Sequence, residues 1–244
     1  MEFDWVFFVL VAASFVAAAF NAAFSAGGAM IILATTTAVL PIMAVVPLHS
    51  GLLIGSTIGR VLLFWEYIDW KIAKPFLLGS LIGTALGARA YFALPERTIA
   101  IALAVVMLVA IWLPEVKWRP KLKQPWAVVG FAHSLLSTLI AYGAVLHAVV
   151  LHVGLKRREM IATMAGCLAG MSVFKITGYM WFGFDYRPYL LLIALAVIVS
   201  FIGTWVGKRL GDFLPEKQFR IIYRLLITLT AIRLLYVSVI AADL

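Results

Sequence analysis

Two basic side chains interrupt otherwise apolar stretches of this sequence. Arg60 and Lys175 are 115 residues apart, and each is flanked by apolar residues. A cation in a low-dielectric interior is costly unless it faces a cavity or a polar partner. A guanidinium offers a planar fork that suits oxyanions, and an ammonium offers a point charge. The pair predicts an anion pathway; the alternative is snorkelling, in which each long stem carries its charge towards Asp69 or Asp185 at the end of the span.

Hydroxyl groups accompany both cations. Ser56 precedes Arg60 by four residues, and Ser172 precedes Lys175 by three. This spacing places hydroxyl and cation on the same face of a helix. It favours a polar lining around each charge.

The long apolar run from Trp5 to Leu48 must contain a break. Its 44 residues would form a rod of about 66 Å against a hydrocarbon core of about 30 Å. Gly27 and Gly28 are the predicted hinge, with Pro41 and Pro47 closing the far end. In the second half of the chain, Gly143 takes the place of Gly28. A discontinuous helix exposes backbone amides, whose partial positive charge suits an anion.

Polar side chains flank both predicted breaks and would complete an anion site there. On the alternative interpretation, the small residues pack helices together and the hydroxyls bond back to their own backbone carbonyls. The predicted substrate-binding set is Arg60, Lys175, Asn21, Ser25, Gly27, Gly28, Ser56, His133, Ser137, Thr138, Tyr142 and Gly143.

Histidines and carboxylates give little sign of other chemistry. His133 is the best candidate for a proton relay, since imidazole titrates near neutral pH, so protons are a candidate partner. His147 and His152 would lie about 140° apart around a helix, which does not make a metal pair. The sequence contains no GxSG, no HExxH and no paired intramembrane aspartates, which intramembrane hydrolases need. We therefore expect no catalytic residue, no metal site and no cofactor.

The composition sets the environment in which these groups act. Hydrophobic residues make up 64% of the chain, charged residues 13%, and the mean hydropathy is +1.06. The apolar stretches are long and continuous, which favours membrane-spanning helices over a barrel. Basic loops interacting with lipid headgroups explain the net charge of +9, so we exclude nucleic acid as a partner. Glu2 and Asp4 indicate an uncleaved first helix. We expect a multi-pass protein of the inner cell membrane, with the lipid bilayer as its partner.

A duplicated block reveals how the chain is organised. Ile82–Glu96 and Ile202–Glu216 are identical at eight of fifteen positions, at a constant offset of 120. Internal repeats of this kind are typical of transporters. The glycines of the block recur every four residues, which is typical of closely packed helices in lipid. They are therefore expected to be structural.

Together, the composition and the duplicated block predict an all-α polytopic membrane protein of about eight transmembrane helical segments. These form two homologous four-helix repeats, and the first segment of each repeat is broken. The predicted divisions are a first repeat at 1–114, a basic connecting loop at 115–124 and a second repeat at 125–244. Four crossings per repeat would make the repeats parallel, whereas an odd number would invert them. We prefer four.

Three stretches carry a family resemblance: FNAAFSAGGAMII at 20–32, the IGTxxGxRxxxxLPE block in both halves, and FKITGYMWFGFDY at 174–186. With them the sequence resembles the sulfite exporter TauE/SafE family. The resemblance implies a proton-linked or passive secondary carrier of small sulfur-containing anions, such as sulfite, sulfoacetate or other organosulfonates, with the substrate held between the repeats. The alternatives are a passive anion channel or sensor of the same fold, or a carrier of another small organic anion. A homodimer is a candidate assembly.

Overall fold

The computed structural model describes residues 4–24, 27–112, 125–141, 143–150, 153–210 and 216–239. The predictions for Ser25, Tyr142 and the connecting loop at 115–124 lie outside these residues. The described residues contain α-helices and short 3-10 turns but no strand. The α-helices are α1 Trp5–Phe24, α2 Gly28–Val39, α3 Ile42–Phe64, α4 Trp70–Ala93, α5 Glu96–Trp112, α6 Pro125–Ile140, α7 Ala144–Val150, α8 Arg157–Trp181, α9 Leu190–Leu210 and α10 Glu216–Val239.

Several of these helices are long and apolar enough to cross a membrane. Among the described residues, five candidate spans meet this description: Trp5–Ala23, Ile42–Leu62, Trp70–Ala93, Arg158–Trp181 and Arg187–Arg209. Two further helices, α2 and α6, are apolar but shorter. The prediction of an all-α polytopic membrane protein therefore agrees with the structure. The count of about eight spans and the repeat organisation stay predictions.

Both long apolar runs are broken where glycines occur. α1 ends at Phe24 and α2 begins at Gly28, while α6 ends at Ile140 and α7 begins at Ala144. The prediction that proline closes the first run is only half right. Pro41 lies just before α3, but Pro47 lies inside it. Pro47 is the sixth residue of α3, so the helix continues through it without the hydrogen bond that an amide there would donate to the Met43 carbonyl.

The helices group into two compact units, each of which draws on both halves of the chain. Unit 1 comprises Met1–Ser56, Pro95–Leu113 and Asp185–Leu244, and unit 2 comprises Thr57–Leu94 and Pro114–Phe184. The predicted division into repeats concerns similarity along the chain rather than compactness in space, and it stays a prediction.

In unit 1, α1 packs against α9, the helix that contains the first residues of the second copy of the duplicated block. Gly203 and Gly207 of α9 face the backbone carbonyls of Phe15 and Ala19 on α1, where a methyl group would collide. The apolar core beside this contact contains Phe7, Leu10, Ala17, Ile32, Leu52, Leu192 and Ala196. Close backbone approach replaces the hydrophobic effect as the source of helix association in lipid.

Unit 2 contains the corresponding contact for the other block. Gly79 and Gly83 of α4 face the carbonyls of Ala127 and Phe131 on α6, and Gly130 of α6 faces the carbonyl of Phe76. In each unit, the duplicated helix thus packs on the first helix of the opposite half. The structural role predicted for Gly79, Gly83, Gly203 and Gly207 is confirmed.

Candidate functional site

Lys175 lies in the interior of unit 2, within the span formed by α8. Its side chain is 4% exposed, and Nζ donates a hydrogen bond to the Ser137 carbonyl at 2.8 Å. Ser137 belongs to the last turn of α6, where carbonyls have no amide partner because the helix stops. The ammonium therefore offsets the negative end of the α6 dipole. Snorkelling would have carried the ammonium towards Asp185 at the end of the span. Lys175 stays buried instead, and the Asp185 carboxylate pairs with Arg187 at 3.5 Å.

Tyr179 supports the same helix end from one turn further along α8. Its hydroxyl donates to the Thr138 carbonyl at 2.6 Å, and its ring packs edge-on against Tyr91 with 5.7 Å between centroids. Lys175 and Tyr179 thus hold two consecutive carbonyls at the break. The end of α6 is fixed by side chains from α8.

The ammonium has donor capacity to spare. It carries three N–H donors. Within the part of the chain that the structure describes, it makes the single hydrogen bond to Ser137 and no ion pair. Removing a charge from water without a counter-charge is costly, and in a membrane span such a group marks a functional site by default.

Three buried hydroxyls lie on the helices that surround this lysine. Thr84 of α4 and Ser134 and Thr138 of α6 are at most 2% exposed. Their hydroxyl oxygens have no hydrogen-bond partner among the described residues. Such groups are uncommon in folded proteins and call for an explanation.

Glycine contacts bring these helices together. A Cβ placed on Gly178 of α8 would lie 3.5 Å from Thr84 Cγ2, and one on Gly87 of α4 would lie 2.9 Å from Thr138 Cβ. We refer to Lys175, Tyr179, Thr84, Ser134 and Thr138, a set of buried polar residues on these three helices, as the Lys175 cluster. The cluster offers one cation and several neutral donors.

His133 anchors the second half of the same break. Its Nδ1 accepts the Leu146 N–H at 3.1 Å, in the first turn of α7, and its ring lies 5.8 Å from that of Phe76. An accepting Nδ1 is unprotonated, so the proton of the neutral ring is on Nε2. The predicted proton relay stays a prediction; the geometry shows a cap that joins α6 to α7.

Asn21 plays the corresponding part in unit 1. Its Oδ1 accepts the Gly28 N–H at 3.0 Å, which caps the start of α2. Gly27 has φ 100°, a left-handed conformation that favours glycine. Gly28 packs against the Ala17 carbonyl, where a methyl group would collide. These residues shape the break, and any contact with substrate stays a prediction.

The positions of Arg60, Ser56 and Ser172 give less support to a role in substrate binding. Arg60 is half-buried, four residues before the end of α3. Ser56 donates to the Leu53 carbonyl at 3.0 Å, and Ser172 donates to the Leu168 carbonyl at 2.8 Å. These two serines bond back to their own helices, as the alternative interpretation expects. Ser137 meets Lys175 through its carbonyl.

Sequence reasoning missed three members of the cluster, although two carried a signal. Tyr179 follows Lys175 by four residues and Thr138 follows Ser134 by four, so each pair shares a helix face. Thr84 lies inside the duplicated block, in which only the glycines had been given a role, a structural one. No pattern in a single sequence distinguishes it from its counterpart Thr204, which bonds back to the Ser200 carbonyl at 2.8 Å.

Comparison with known proteins agrees with the resemblance noted from the sequence. Residues 10–234 match the model of the family described as Sulfite exporter TauE/SafE. The match includes both helix breaks, both copies of the duplicated block and the Lys175 cluster. No curated protein and no solved structure matches the chain.

Proposed function

The chain belongs to the sulfite exporter TauE/SafE family, and from that premise we propose that it is a secondary carrier of small sulfur-containing anions. Membership and the apolar helices make it an integral membrane protein of the transporter class. Sulfite, sulfoacetate and other organosulfonates are the proposed substrates, and the inner cell membrane is the proposed location.

The observation that carries this proposal is the spare donor capacity of a buried lysine. An anion beside Lys175 would supply the counter-charge that the described residues do not provide. Hydrogen bonds to a charged group contribute about 1.5–3 kcal/mol each, more than neutral ones. The cluster therefore favours an anionic ligand over a neutral one.

The hydroxyls of the cluster suggest why a sulfur oxyanion fits. Sulfite and sulfonate groups each present three oxygens, so they can accept from several directions at once, whereas a carboxylate presents two. Thr84, Ser134 and Thr138 supply neutral donors besides the ammonium. A ligand with three oxygens would satisfy more of these groups, which is the basis of the proposed preference.

Transport into liposomes tests the role of Lys175. Purified protein is reconstituted, and uptake of radiolabelled sulfite and sulfoacetate is measured for the wild type and for Lys175→Met. Loss of a charged hydrogen bond predicts a fall in apparent affinity of about tenfold to a hundredfold. Ser172→Ala is the matched control, because Ser172 lies one turn away on α8 and bonds to its own helix.

The outcome separates the substrate site from the fold. Both variants must show the wild-type elution profile and thermal unfolding curve to be compared. If folded Lys175→Met transported sulfite with wild-type affinity, the lysine would be only a helix cap and the proposed site would be wrong.

A second measurement distinguishes a carrier from a pore of the same fold. A carrier gives saturable uptake and accelerated exchange when unlabelled substrate is present on the far side of the membrane. Flux that rises linearly with concentration and shows no counterflow would contradict a carrier and favour a channel.

A further inference from the structure

An apolar groove lies on the outer surface of unit 2, between α4 and α8. Its volume is about 320 Å³, and it is lined by Lys74, Leu77, Leu78 and Leu81 of α4 and by Phe174 of α8. Leu78 and Leu81 are 68% and 52% exposed. In an integral membrane protein, side chains of this kind face lipid tails.

Aromatic residues mark which end of the groove lies at headgroup depth. Trp65 and Trp70 pack edge-on with 5.2 Å between their ring centroids, and the Arg158 guanidinium lies 5.9 Å from the centre of the Tyr67 ring. Tryptophan and tyrosine are enriched at the membrane–water interface. Lys74 follows Trp70 by one helical turn. The groove therefore runs from the interface towards Leu81, about 10 Å into the hydrocarbon.

The charge at the mouth of the groove is positive. Lys74 is exposed and, among the described residues, makes no hydrogen bond or ion pair. The carboxylate of Asp69, at the same end of α4, is already engaged as the helix cap and accepts the Lys71 N–H at 2.9 Å. Below Lys74, the lining is apolar. A ligand that complements this arrangement carries a negative group at headgroup depth and an aliphatic tail beneath it.

We propose that this groove binds an anionic phospholipid, with one acyl chain lying along Leu77, Leu78, Leu81 and Phe174 and the phosphate paired with Lys74. The bilayer supplies such a ligand at this depth, and its tail needs no polar partner. The binding claim is independent of the transported substrate. The groove is formed by the same two helices that carry Lys175 and Thr84, α8 and α4.

Titration of the intact protein in detergent tests the site. Bound lipid is counted by native mass spectrometry with phosphatidylglycerol and, as the neutral reference, with phosphatidylcholine of the same acyl chains. A lysine near the membrane surface contributes an attraction that corresponds to about fivefold in affinity. Lys74→Gln is therefore expected to weaken phosphatidylglycerol binding about fivefold and phosphatidylcholine binding less, because the choline ammonium offsets the charge of the phosphate that Lys74 meets. Leu78→Trp, which fills the groove, should weaken both lipids.

Lys71→Gln is the matched control. Lys71 is exposed and lies three residues before Lys74 on α4, but it does not line the groove. It should retain wild-type binding of both lipids. Lys74→Gln alters an exposed side chain, so its effect can be read even if Leu78→Trp does not fold.

Three results would overturn the proposal. Equal losses for Lys71→Gln and Lys74→Gln would mean diffuse attraction to a basic surface. Displacement of the lipid by millimolar inorganic phosphate would mean that the headgroup alone is recognised. A dimer mass that Leu78→Trp converts to a monomer, with lipid binding unchanged, would assign the groove to a second copy of the chain.

Discussion

The break between α1 and α2 and the break between α6 and α7 both interrupt a long apolar helix, but they are stabilised by different groups. In unit 1, Asn21 accepts the Gly28 N–H across the break. In unit 2, His133 accepts the Leu146 N–H, while Lys175 and Tyr179 donate to the last carbonyls of α6. The first break is stabilised by the neutral side-chain amide of Asn21 and by the close packing of Gly28 against the Ala17 carbonyl. The second involves a buried cation.

The comparison shows that a capped helix start belongs to the architecture, because both breaks have one. A cation that donates to a carbonyl near a helix end also occurs in unit 1, so this contact alone does not mark a binding site. Arg233 of α10 donates to the Ala38 carbonyl near the end of α2 at 3.2 Å, but it is exposed. Lys175 differs in its burial and in the neighbouring hydroxyls that have no partner among the described residues. Those two features, rather than the carbonyl contact, point to transport.

The largest effect is expected from a methyl group added at the first break. Gly28→Ala would drive Cβ into the Ala17 carbonyl, which is backbone and cannot rotate away. Overpacking of this kind costs about 1–3 kcal/mol or more. Thermal unfolding in detergent should show a marked loss of stability.

The second break provides the control for this substitution. A Cβ on Gly143 would lie 3.6 Å from His133 Cε1, an ordinary contact distance. Gly143→Ala should therefore unfold close to the wild type. Equal losses for the two glycines would mean that both breaks need glycine for a shared reason, and that the collision with the Ala17 carbonyl does not set the cost at Gly28.

Replacing the two cap residues by apolar side chains of similar shape should give unequal losses. His133→Phe deletes the acceptor of the Leu146 amide in a fully buried position, and an unsatisfied buried donor costs about 1–3 kcal/mol. Asn21→Leu deletes the acceptor of the Gly28 amide, but Asn21 is only half-buried. A cap residue typically contributes about 1 kcal/mol. Unfolding measurements that ranked Asn21→Leu as the more damaging change would reverse this reading of the breaks.

Composition and repetition predicted much of the fold, because both depend on patterns along the chain. Long uncharged runs predict spanning helices, and a run of 44 residues must break somewhere near its glycines. The four-residue period of Gly79, Gly83 and Gly87 predicted a packing face, which the contacts with α6 confirm. Proline was misread at Pro47, because membrane helices tolerate an interior proline despite the lost backbone hydrogen bond.

The candidate site was predicted less well, because it depends on which helices meet. Lys175 and His133 were both singled out and both are buried, but they bond to the backbone groups of Ser137 and Leu146, which no side-chain pattern reveals. The repeat suggested that Arg60 and Lys175 are equivalent. The structure separates them by burial, since Arg60 is half-buried. Alignment of the two halves shows which positions correspond along the chain. The burial of a charge at such a position depends on which helices pack around it.

Loss of one hydroxyl should have a smaller effect that is confined to the second break. Tyr179→Phe keeps the ring against Tyr91 and removes the hydrogen bond to the Thr138 carbonyl. A typical net loss is about 1 kcal/mol. Unfolding and sulfite transport are measured together. A fall in transport affinity without a fall in stability would show that the hydroxyl also serves the substrate; unchanged values in both assays would contradict its role at the helix end.

The smallest expected effect is a gain in stability at the second break. Ala141 directly follows α6 and has φ 54°, the left-handed conformation in which Cβ crowds the backbone. That crowding costs about 1–2 kcal/mol, and the extra freedom of glycine in the unfolded chain offsets about half of it. Ala141→Gly should therefore raise stability by about 0.5–1 kcal/mol, read from the unfolding midpoint. If stability rose and transport were unchanged, the strained backbone at Ala141 would have no role in transport. Slower transport in a more stable protein would show that transport depends on this strained conformation.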